Sequence, residues 1–600
     1  MTRRRPLALD IVTDNAAEEL TAQDRLTIAG LVGELQNRKI TRKTFLRQSV
    51  VFGLSSTSLA AILAACGSTA PSSSAASAGT AAPSTAVASP SPAGPDLTAK
   101  LNLGMEGDAD TVDPQAFKTI PGYYMLANLY DQLIDLQAEP QDGLLIADPA
   151  NPTSMIAESM EISPDLLTAT FKLDPNAKFE DGTPITVDDI KYSFQRGIEG
   201  TQYTSILMKM LTLSSTDNIL TPDKQTVVFK LDKPNPMTER LLSLQVLSIQ
   251  SKARSEANAT AEDKFADAYW RANVYANSAY KLQSWKRGEG FELTPNTNYY
   301  RAGLPRNGGL VFREIGDPQE RISLLKSGDL HAAFQIAPKD AAALQGSGDT
   351  NVKLVTAPST WNWGLAFTNS VKPFDNKQVR QAISYAIPYD TIISDVMHGL
   401  ARPSKSIVVP GMPTSDQSFW NYNTDLAKAK ELLTAAGYPD GFESSIDVVI
   451  GRAEDEQMAV FIQANLQQIG VAVTINKLAE AQYQDNRNNA KSPMQIIEFF
   501  SWVNDPFYHM YWNMLSTNTF TNSARYSNPE VDKLIMAGLY EADAAKRESI
   551  SKDAQRMIVD DAPWAFLFAR DFFVPVAKNL YDFPLWPDQN PRLYWAYVTA

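Results

Sequence analysis

Residues 155–194 read MIAESMEISPDLLTATFKLDPNAKFEDGTPITVDDIKYSF, and this stretch holds a clear strand pattern followed by the start of a helix. Within it, Ala169, Phe171 and Leu173 alternate with polar residues along the chain. Successive side chains of a β-strand point to opposite faces, so this alternation predicts a strand that is buried on one face only. A half-buried strand needs a second layer of structure to cover its apolar face.

A tight turn and the start of a helix follow this strand. Gly182 comes after Asp181, and glycine accepts the positive φ that a tight turn requires. Thr186 is placed to cap the next helix, with Asp188 and Asp189 in the first turn, where negative charge is favourable. We therefore expect these residues to serve the scaffold rather than a binding site.

The alternation of strands and helices continues outward from this stretch to the end of the chain. Val227, Phe229 and Leu231 repeat the strand pattern, whereas residues 547–560 place apolar side chains on one helical face. No internal repeat of roughly 20–50 residues is present, which excludes array folds. Alternating elements in a body of about 500 residues indicate α/β layers in at least two lobes.

Composition narrows the class of protein. The chain has 600 residues, of which 44% are hydrophobic and 20% charged, and its net charge is -14. Such an acidic chain lacks the basic surface that nucleic acid requires. Its one cysteine, Cys66, cannot form an intramolecular disulfide, and its three histidines lie far apart in sequence. We expect a monomer with no nucleic-acid partner, no metal site and no cofactor.

The N-terminal part of the chain is predicted to be an export signal followed by a flexible tether. Residues 1–65 comprise an extension and an export signal, in which basic residues precede the uncharged stretch 48–65 and small residues precede Cys66. A membrane-spanning anchor is the alternative for this stretch. Residues 66–97 are rich in Ser, Ala and Pro and cannot bury enough apolar surface to fold, which predicts a flexible tether.

The body of the chain resembles the peptide and nickel class of solute-binding proteins of ABC importers, family five. The best likeness lies in residues 155–194, where the family's Phe-x-Asp-Gly-x-Pro motif reads Phe-Glu-Asp-Gly-Thr-Pro at residues 179–184. Further likenesses follow in the family's order, at residues 320–334, 379–390, 428–443, 461–475, 527–534 and 547–568. Near the N terminus, residues 63–66 resemble a bacterial lipobox and residues 41–47 resemble a twin-arginine signal.

This resemblance implies a two-lobe periplasmic-binding-protein fold of the α/β class, the Venus-flytrap arrangement, with an extra subdomain in lobe I. Lobe I would comprise residues 98–358, lobe II residues 359–566, and residues 567–600 would return to lobe I. The chain would cross between the lobes near Pro358 and near Leu567. A ligand would bind in the cleft, and the lobes would close around it by a hinge motion.

The resemblance also implies a role in transport without catalysis. Members of this class capture a solute, typically an oligopeptide or dipeptide, outside the cytoplasm and deliver it to the membrane permease of an ABC importer. A sugar or another small solute, a sensor role and a lipid-anchored hydrolase are the alternatives, although the sequence contains no Gly-x-Ser-x-Gly motif. Cys66 would carry a lipid anchor at the outer face of the cytoplasmic membrane.

Five residues are candidates for the ligand cleft. Trp361 and Trp363 follow the first expected crossing, and alternate positions on a strand face the same side, where they would form a stacking wall. Core packing is the alternative for both. Trp502 and Asp505, with Asn504 between them, fit the start of the family's Trp-x-x-Asp-Tyr-x-Asp-Pro stretch, although Asp505-Pro506 fits its final Asp-Pro equally well. The resemblance implies that Asp505 anchors a peptide amino group. The alternative for Asp505 is a turn aspartate before a proline.

Overall fold

The structure is a computed structural model, and it describes residues 94–599 apart from residues 142, 201–203, 500 and 587. The expected export signal, the lipidation site Cys66 and most of the expected tether lie outside the described residues. Described residues belong to one compact unit, Ser91–Ala600.

The strand predicted from alternation is present and its apolar face is buried. Ala169, Phe171 and Leu173 lie in the strand Thr168–Leu173 and are at most 3% exposed. This strand pairs in antiparallel fashion with a neighbour on each side. The prediction of a half-buried strand is confirmed.

The predicted turn and cap are confirmed as well. Gly182 has a φ of +89°, which glycine adopts without strain. The Thr186 hydroxyl accepts a hydrogen bond from the backbone N–H of Asp189, and the Asp189 carboxylate accepts one from the backbone N–H of Thr186. This reciprocal pair satisfies two donors that a helix N terminus otherwise leaves without partners.

The strands, numbered along the chain, are β1 Leu101–Met105, β2 Ile134–Gln141, β3 Leu144–Ser154, β4 Ala157–Ile162, β5 Thr168–Leu173, β6 Ile219–Leu220, β7 Thr226–Lys230, β8 Tyr280–Lys286, β9 Gly290–Pro295, β10 Leu310–Glu314, β11 Ala332–Ala333, β12 Val352–Phe367, β13 Ala401–Pro403, β14 Phe442–Val449, β15 Val471–Leu478, β16 Met494–Phe499, β17 Trp564–Ala577, β18 Leu580–Tyr581, β19 Phe583–Leu585 and β20 Tyr597–Val598.

The α-helices are α1 Ile120–Leu129, α2 Val187–Glu199, α3 Thr204–Leu211, α4 Thr238–Leu242, α5 Lys252–Asn258, α6 Asp267–Trp270, α7 Pro318–Ser327, α8 Pro338–Gly346, α9 Lys377–Ala386, α10 Tyr389–Thr391, α11 Leu426–Ala435, α12 Ala453–Gln467, α13 Glu480–Asn488, α14 Pro506–Met514, α15 Pro529–Tyr540 and α16 Ala544–Asp561. A π-helical turn, Ile392–Val396, continues α10.

One large mixed sheet runs through the described body. Its strand order is β15-β14-β16-β12-β17-β11-β1-β10-β9-β8, and β13 pairs with β17 beside this path. β14 and β1 each make parallel pairs with both of their neighbours, whereas β12 and β17 pair in antiparallel fashion. Smaller sheets, β4-β5-β7-β6 and β19-β3-β2, lie in or next to the part of the chain assigned to lobe I.

β12 and β17 are the two long strands that join the two sides of this sheet. They pair along their length, from Val352 opposite Ala577 to Ala366 opposite Trp564. Pro358 lies in a register shift of β12, and Leu567 lies in β17. Both expected crossing points therefore fall on this strand pair, while the exact lobe boundaries stay a prediction.

Apolar residues gather in separate clusters on the two sides of this strand pair. One cluster, around β14, β16, α9 and α12, draws its buried members from the range predicted for lobe II, 359–566, except for Leu567 and Phe568. A larger cluster is centred on residues of lobe I but also takes in α14 and parts of α15 and α16. In this larger cluster, residues of α14, α15 and α16, which fall in the range predicted for lobe II, pack against residues predicted for lobe I.

Candidate functional site

A cavity of about 150 Å³ lies where the expected lobes meet. Its wall contains Ile146, Ala147, Pro149, Ala357, Pro358, Ser359, Thr360, Val409, Pro410, Gly411, Met412, Asn504, Phe572, Leu585, Trp586 and Gln589. Asn504, a candidate from the sequence, is thus placed on the wall. Pockets that hold whole ligands have volumes of roughly 300–1,000 Å³, so this cavity has room for one side chain rather than for a peptide.

Trp361 and Trp363 lie on the same side of β12, as their spacing predicts. Their ring centroids are 4.8 Å apart, and the Trp363 ring stacks on Phe568 of β17 at 5.5 Å. Trp363 is only 5% exposed, whereas Trp361 is half-buried. Trp363 therefore belongs to the core, whereas part of Trp361 is exposed to solvent.

The guanidinium of Arg570 lies over both indoles. Its centre is 5.2 Å from the Trp361 ring and 5.6 Å from the Trp363 ring. Arg570 is opposite Trp361 in the pairing of β12 with β17, which brings the two side chains to one face. A guanidinium at this distance is attracted by the negative face of an aromatic ring.

A cluster of charged groups surrounds this arginine. Arg452 donates to Glu498 at 2.9 Å and to Glu480 at 3.1 Å. Glu454 and Glu106 complete the cluster, and the Glu106 carboxylate interacts electrostatically with both Arg452 and Arg570. Because Glu106 follows β1 and Arg452 precedes α12, these charges come from both expected lobes.

Asp455 is the most strongly perturbed acid of this cluster. Its pKa is raised to about 7, first by burial and then by the neighbouring charge of Glu498, while Arg452 and a hydrogen bond from Trp363 oppose the rise. The carboxylate therefore changes charge close to neutral pH. The net charge of this cluster therefore depends on pH, and acids with shifted pKa values are common at functional sites.

Trp502 lies in the segment between β16 and α14 and contacts helix α1 and the residues that precede it. Its ring centroid is 5.5 Å from Tyr123 in an edge-on arrangement and 6.5 Å from Phe117. Both partners belong to the residues predicted for lobe I. The ring of Trp502 is therefore placed between the lobes, half-buried by its neighbours.

Asp505 is fully buried and caps helix α14. One carboxylate oxygen accepts a hydrogen bond from the backbone N–H of Phe507 at 3.0 Å. Arg547 of α16 donates to both oxygens at 2.8 Å, and Arg240 of α4 donates to one at 3.3 Å. The cap matches the alternative role of an aspartate in the turn before a proline. The role of amino anchor stays a prediction.

Sequence reasoning missed Arg570, Glu106 and Arg547. Nothing in the sequence near Arg570 distinguishes it from a surface residue of a strand edge, since its partners Trp361 and Trp363 precede it by about two hundred residues. The alternation in residues 564–573 places Arg570 on the face of Phe568, and this is the one local signal that could have been used.

The family-model comparison decides the class of protein. Residues 151–521 match the model of the bacterial extracellular solute-binding proteins, family 5 middle region. The chain belongs to this family. A family 5 protein binds its solute outside the cytoplasm, and the family is one of binding proteins rather than enzymes.

Named relatives and solved structures agree with this assignment. The glutathione-binding protein GsiB of Escherichia coli K12 is 26% identical over 447 residues, which are 72% of this chain and 84% of the relative. The structure of DppA from Helicobacter pylori in complex with the peptide STSA has a TM-score of 0.73 at 23% identity, covering 84% of this chain and 99% of that one. AgaA from A. tumefaciens R10, in complex with agropinic acid, has a TM-score of 0.70 at 25% identity over 84% and 99%.

The likeness to these structures confirms the predicted fold, a two-lobe α/β fold of the periplasmic-binding-protein type. In the described part of the chain, no helix is both long and apolar enough to cross a membrane. Among the described residues, no three His, Cys, Asp or Glu side chains converge in the way that metal ligands do.

Proposed function

We propose that this family 5 protein captures oligopeptides or dipeptides and delivers them to the permease subunits of an ABC importer. The ligand would bind in the cleft between the lobes and leave it unchanged, so no turnover is expected. Ligand binding would shift the equilibrium between open and closed lobes by as much as the ligand prefers the closed cleft.

The observation that carries this proposal is the group of charged and aromatic side chains around Arg570, whose members come from both expected lobes. Arg570 supplies positive charge there, Glu106 and Glu454 supply negative charge, and Trp361 supplies an aromatic wall. A short peptide carries a carboxylate at one end and an ammonium at the other, and fixed countercharges are how proteins recognise such ends. The names of relatives, which include glutathione and the peptide STSA as ligands, support the same class of solute.

The finer parts of the proposal concern how the protein is held near its partner. A lipid on Cys66 would anchor the mature chain, and residues 66–97 would serve as a tether to a monomeric body that comprises residues 98–358, 359–566 and 567–600. Acyl chains contribute roughly 0.8 kcal/mol per buried methylene, so a multiply acylated cysteine holds firmly. Labelling of cells with a radioactive fatty acid would test the anchor, since Cys66→Ala should abolish incorporation.

Mass spectrometry of solutes that co-purify with the protein tests the solute class directly. A panel of dipeptides and tripeptides, with a parallel panel of sugars, would then be compared by thermal unfolding. We expect peptides to raise the melting temperature, because a ligand that binds only the folded state stabilises it. A rise with sugars alone would contradict the peptide proposal, and chemical change of the bound solute would contradict the binding role.

A further inference from the structure

Arg570 is half-buried, and the acids that interact with it electrostatically come from both expected lobes. It lies in β17 opposite Trp361 of β12 and opposite Ala401 of β13. Phe568, two residues earlier, stacks on Trp363 on the same face. Arg570 therefore extends an aromatic surface with a single positive charge.

The guanidinium of Arg570 has no counterion in the described protein. Its contacts are with aromatic rings, and no hydrogen bond or ion pair joins it to any residue that the structure describes. Arg402, on the adjacent strand β13, shows the usual arrangement. It donates to Asp571 at 2.7 Å and to the backbone oxygens of Pro410 at 2.7 Å and Ser359 at 2.9 Å.

The surroundings make an unpaired guanidinium costly. Burial lowers the pKa of Arg570, and this effect outweighs the opposing influence of Glu454, Glu498 and Asp455. Glu498 is already bound by Arg452 at 2.9 Å, so it is committed to another cation. A charge that is withdrawn from water and lacks a partner is stabilised when an opposite charge arrives with suitable geometry.

We infer that Arg570 binds the anionic group of the solute, a carboxylate that pairs with its guanidinium while the guanidinium lies over the indole of Trp361. The planar fork of a guanidinium matches the two oxygens of a carboxylate, and the ring faces beside it hold the fork in place. This inference rests on the proposed function and specifies its ligand: the solute carries a free carboxylate, and Arg570 selects for it.

Two acidic side chains near Arg570 would orient a zwitterionic solute in the site. Glu106 and Glu454 make no ion pair or hydrogen bond through their carboxylates with any described residue. Burial raises the pKa of the Glu106 carboxyl, while the charges of Arg321 and Arg452 oppose the rise. Their negative charges disfavour an anion beside them and favour the cationic part of a zwitterion.

The test compares binding of matched acids and amides to the native chain and to Arg570→Met. The probes are the peptides Met-Leu and Ser-Thr-Ser-Ala, their C-terminal amides, a set of other dipeptides in both forms, and sugars with and without a carboxylate. For the native chain we expect acids to bind at least about tenfold more tightly than amides, as a charge-assisted pair warrants. For Arg570→Met we expect that preference to disappear.

The melting temperature of the ligand-free protein separates a binding role of Arg570 from a structural one. Removing an unpaired charge should leave the melting temperature of the ligand-free protein unchanged or raised, while binding of acids is lost. A structural arginine would lower both. Arg556→Met is the control, because Arg556 is exposed on α16 and pairs only with Asp553 at 3.0 Å.

Each outcome decides between the inference and the proposed function. Equal binding of acids and amides, or unchanged acid affinity in Arg570→Met, overturns the role of Arg570 and leaves the peptide proposal standing. Binding of sugar acids alone supports Arg570 and contradicts the peptide proposal. Binding of neutral sugars alone, or of no probe in the set, overturns both.

Discussion

At the residue scale, the buried Asp505 carboxylate is bound by two arginines from other parts of the chain. Its partners, Arg547 and Arg240, lie 42 and 265 positions away in sequence. Removing one member of a buried ion pair leaves the other charge without compensation. Asp505 therefore stabilises the packing of α14 and α16, whatever its role toward a ligand.

Asp505→Ala is expected to lower the free energy of unfolding by about 3 kcal/mol, because it leaves the Arg547 guanidinium unpaired and removes a helix cap. Urea unfolding followed by circular dichroism measures this change. Asp553→Ala, which breaks an exposed pair, serves as the control and should change stability by less than about 1 kcal/mol.

Asp505→Asn separates the amino-anchor role from the cap. An asparagine keeps an oxygen for the N–H of Phe507 but carries no charge. If Asp505 anchors a peptide amino group, peptide affinity should fall by at least about tenfold, as loss of a charge-assisted pair implies. Unchanged affinity by calorimetry would restrict Asp505 to the cap and the ion pair.

Asp131 makes stability depend on pH. Burial raises its pKa from 3.8 to about 6, although the hydroxyls of Tyr299 and Tyr300 donate to its carboxylate at 3.0 Å and 3.2 Å. The folded protein therefore binds the proton more tightly than the unfolded chain, and this contribution to stability grows as pH falls from about 6 to about 4.

We expect Asp131→Asn to remove this contribution, so that the native chain loses stability relative to the variant as pH rises from about 4 to about 7. Denaturant unfolding at a series of pH values measures the difference between the two proteins. Asp217→Asn, a substitution at an exposed position, serves as the control. A constant difference between Asp131→Asn and the native chain would contradict the prediction.

At the scale of elements, helices α14 and α15 approach each other at a glycine. A Cβ atom on Gly538 would lie 1.9 Å from the ring of Phe507, which is too close for any side chain to fit. Glycine here serves close packing rather than an unusual backbone angle. The approach also brings Arg547 to the Gly538 carbonyl at 2.8 Å and to Asp505.

Gly538→Ala is expected to destabilise the protein by about 1–3 kcal/mol, because Phe507 must leave its position in the core. Thermal and denaturant unfolding measure the loss. Gly346→Ala is the matched control: Gly346 also lies in a helix, but no atom lies within 4 Å of a Cβ built there. Equal stability of the two variants would show that the helices adjust without strain.

At the scale of the whole molecule, side chains of the two expected lobes contact one another. Trp502 packs on Tyr123 at 5.5 Å, and Arg240 reaches Asp505 at 3.3 Å. When the lobes separate, the hinge motion expected of this fold would break these contacts. They therefore add to the stability of the closed form and affect ligand affinity through the equilibrium between forms.

Trp502→Ala is expected to shift the lobes toward the open form, with a larger radius of gyration and weaker ligand binding. Small-angle X-ray scattering measures the first effect, and calorimetry with a peptide that binds the native chain measures the second. Phe520→Ala is the control, because the Phe520 side chain is 63% exposed and lies away from these contacts. An unchanged radius of gyration would show that Trp502 does not hold the lobes.

Local structure, fold class and family could all be predicted from the amino-acid pattern. The cap at Thr186, the turn at Gly182 and the strand around Phe171 depend on neighbours within a few positions, which is why pattern alone predicts them. The likeness of residues 155–194 to the family led to the two-lobe fold that the comparisons confirm. The spacing of Trp361 and Trp363 likewise placed them on one face.

Which charged groups form ion pairs and which lack a counterion could be learned only from the three-dimensional packing. Asp505 is held by Arg547 and Arg240, while Arg570 lies over Trp361 without a counterion among the described residues. Such partners are chosen by strand register and helix packing, which join residues far apart in the chain. An isolated sequence position carries no record of that choice, because the energy of a buried charge depends on what is packed around it.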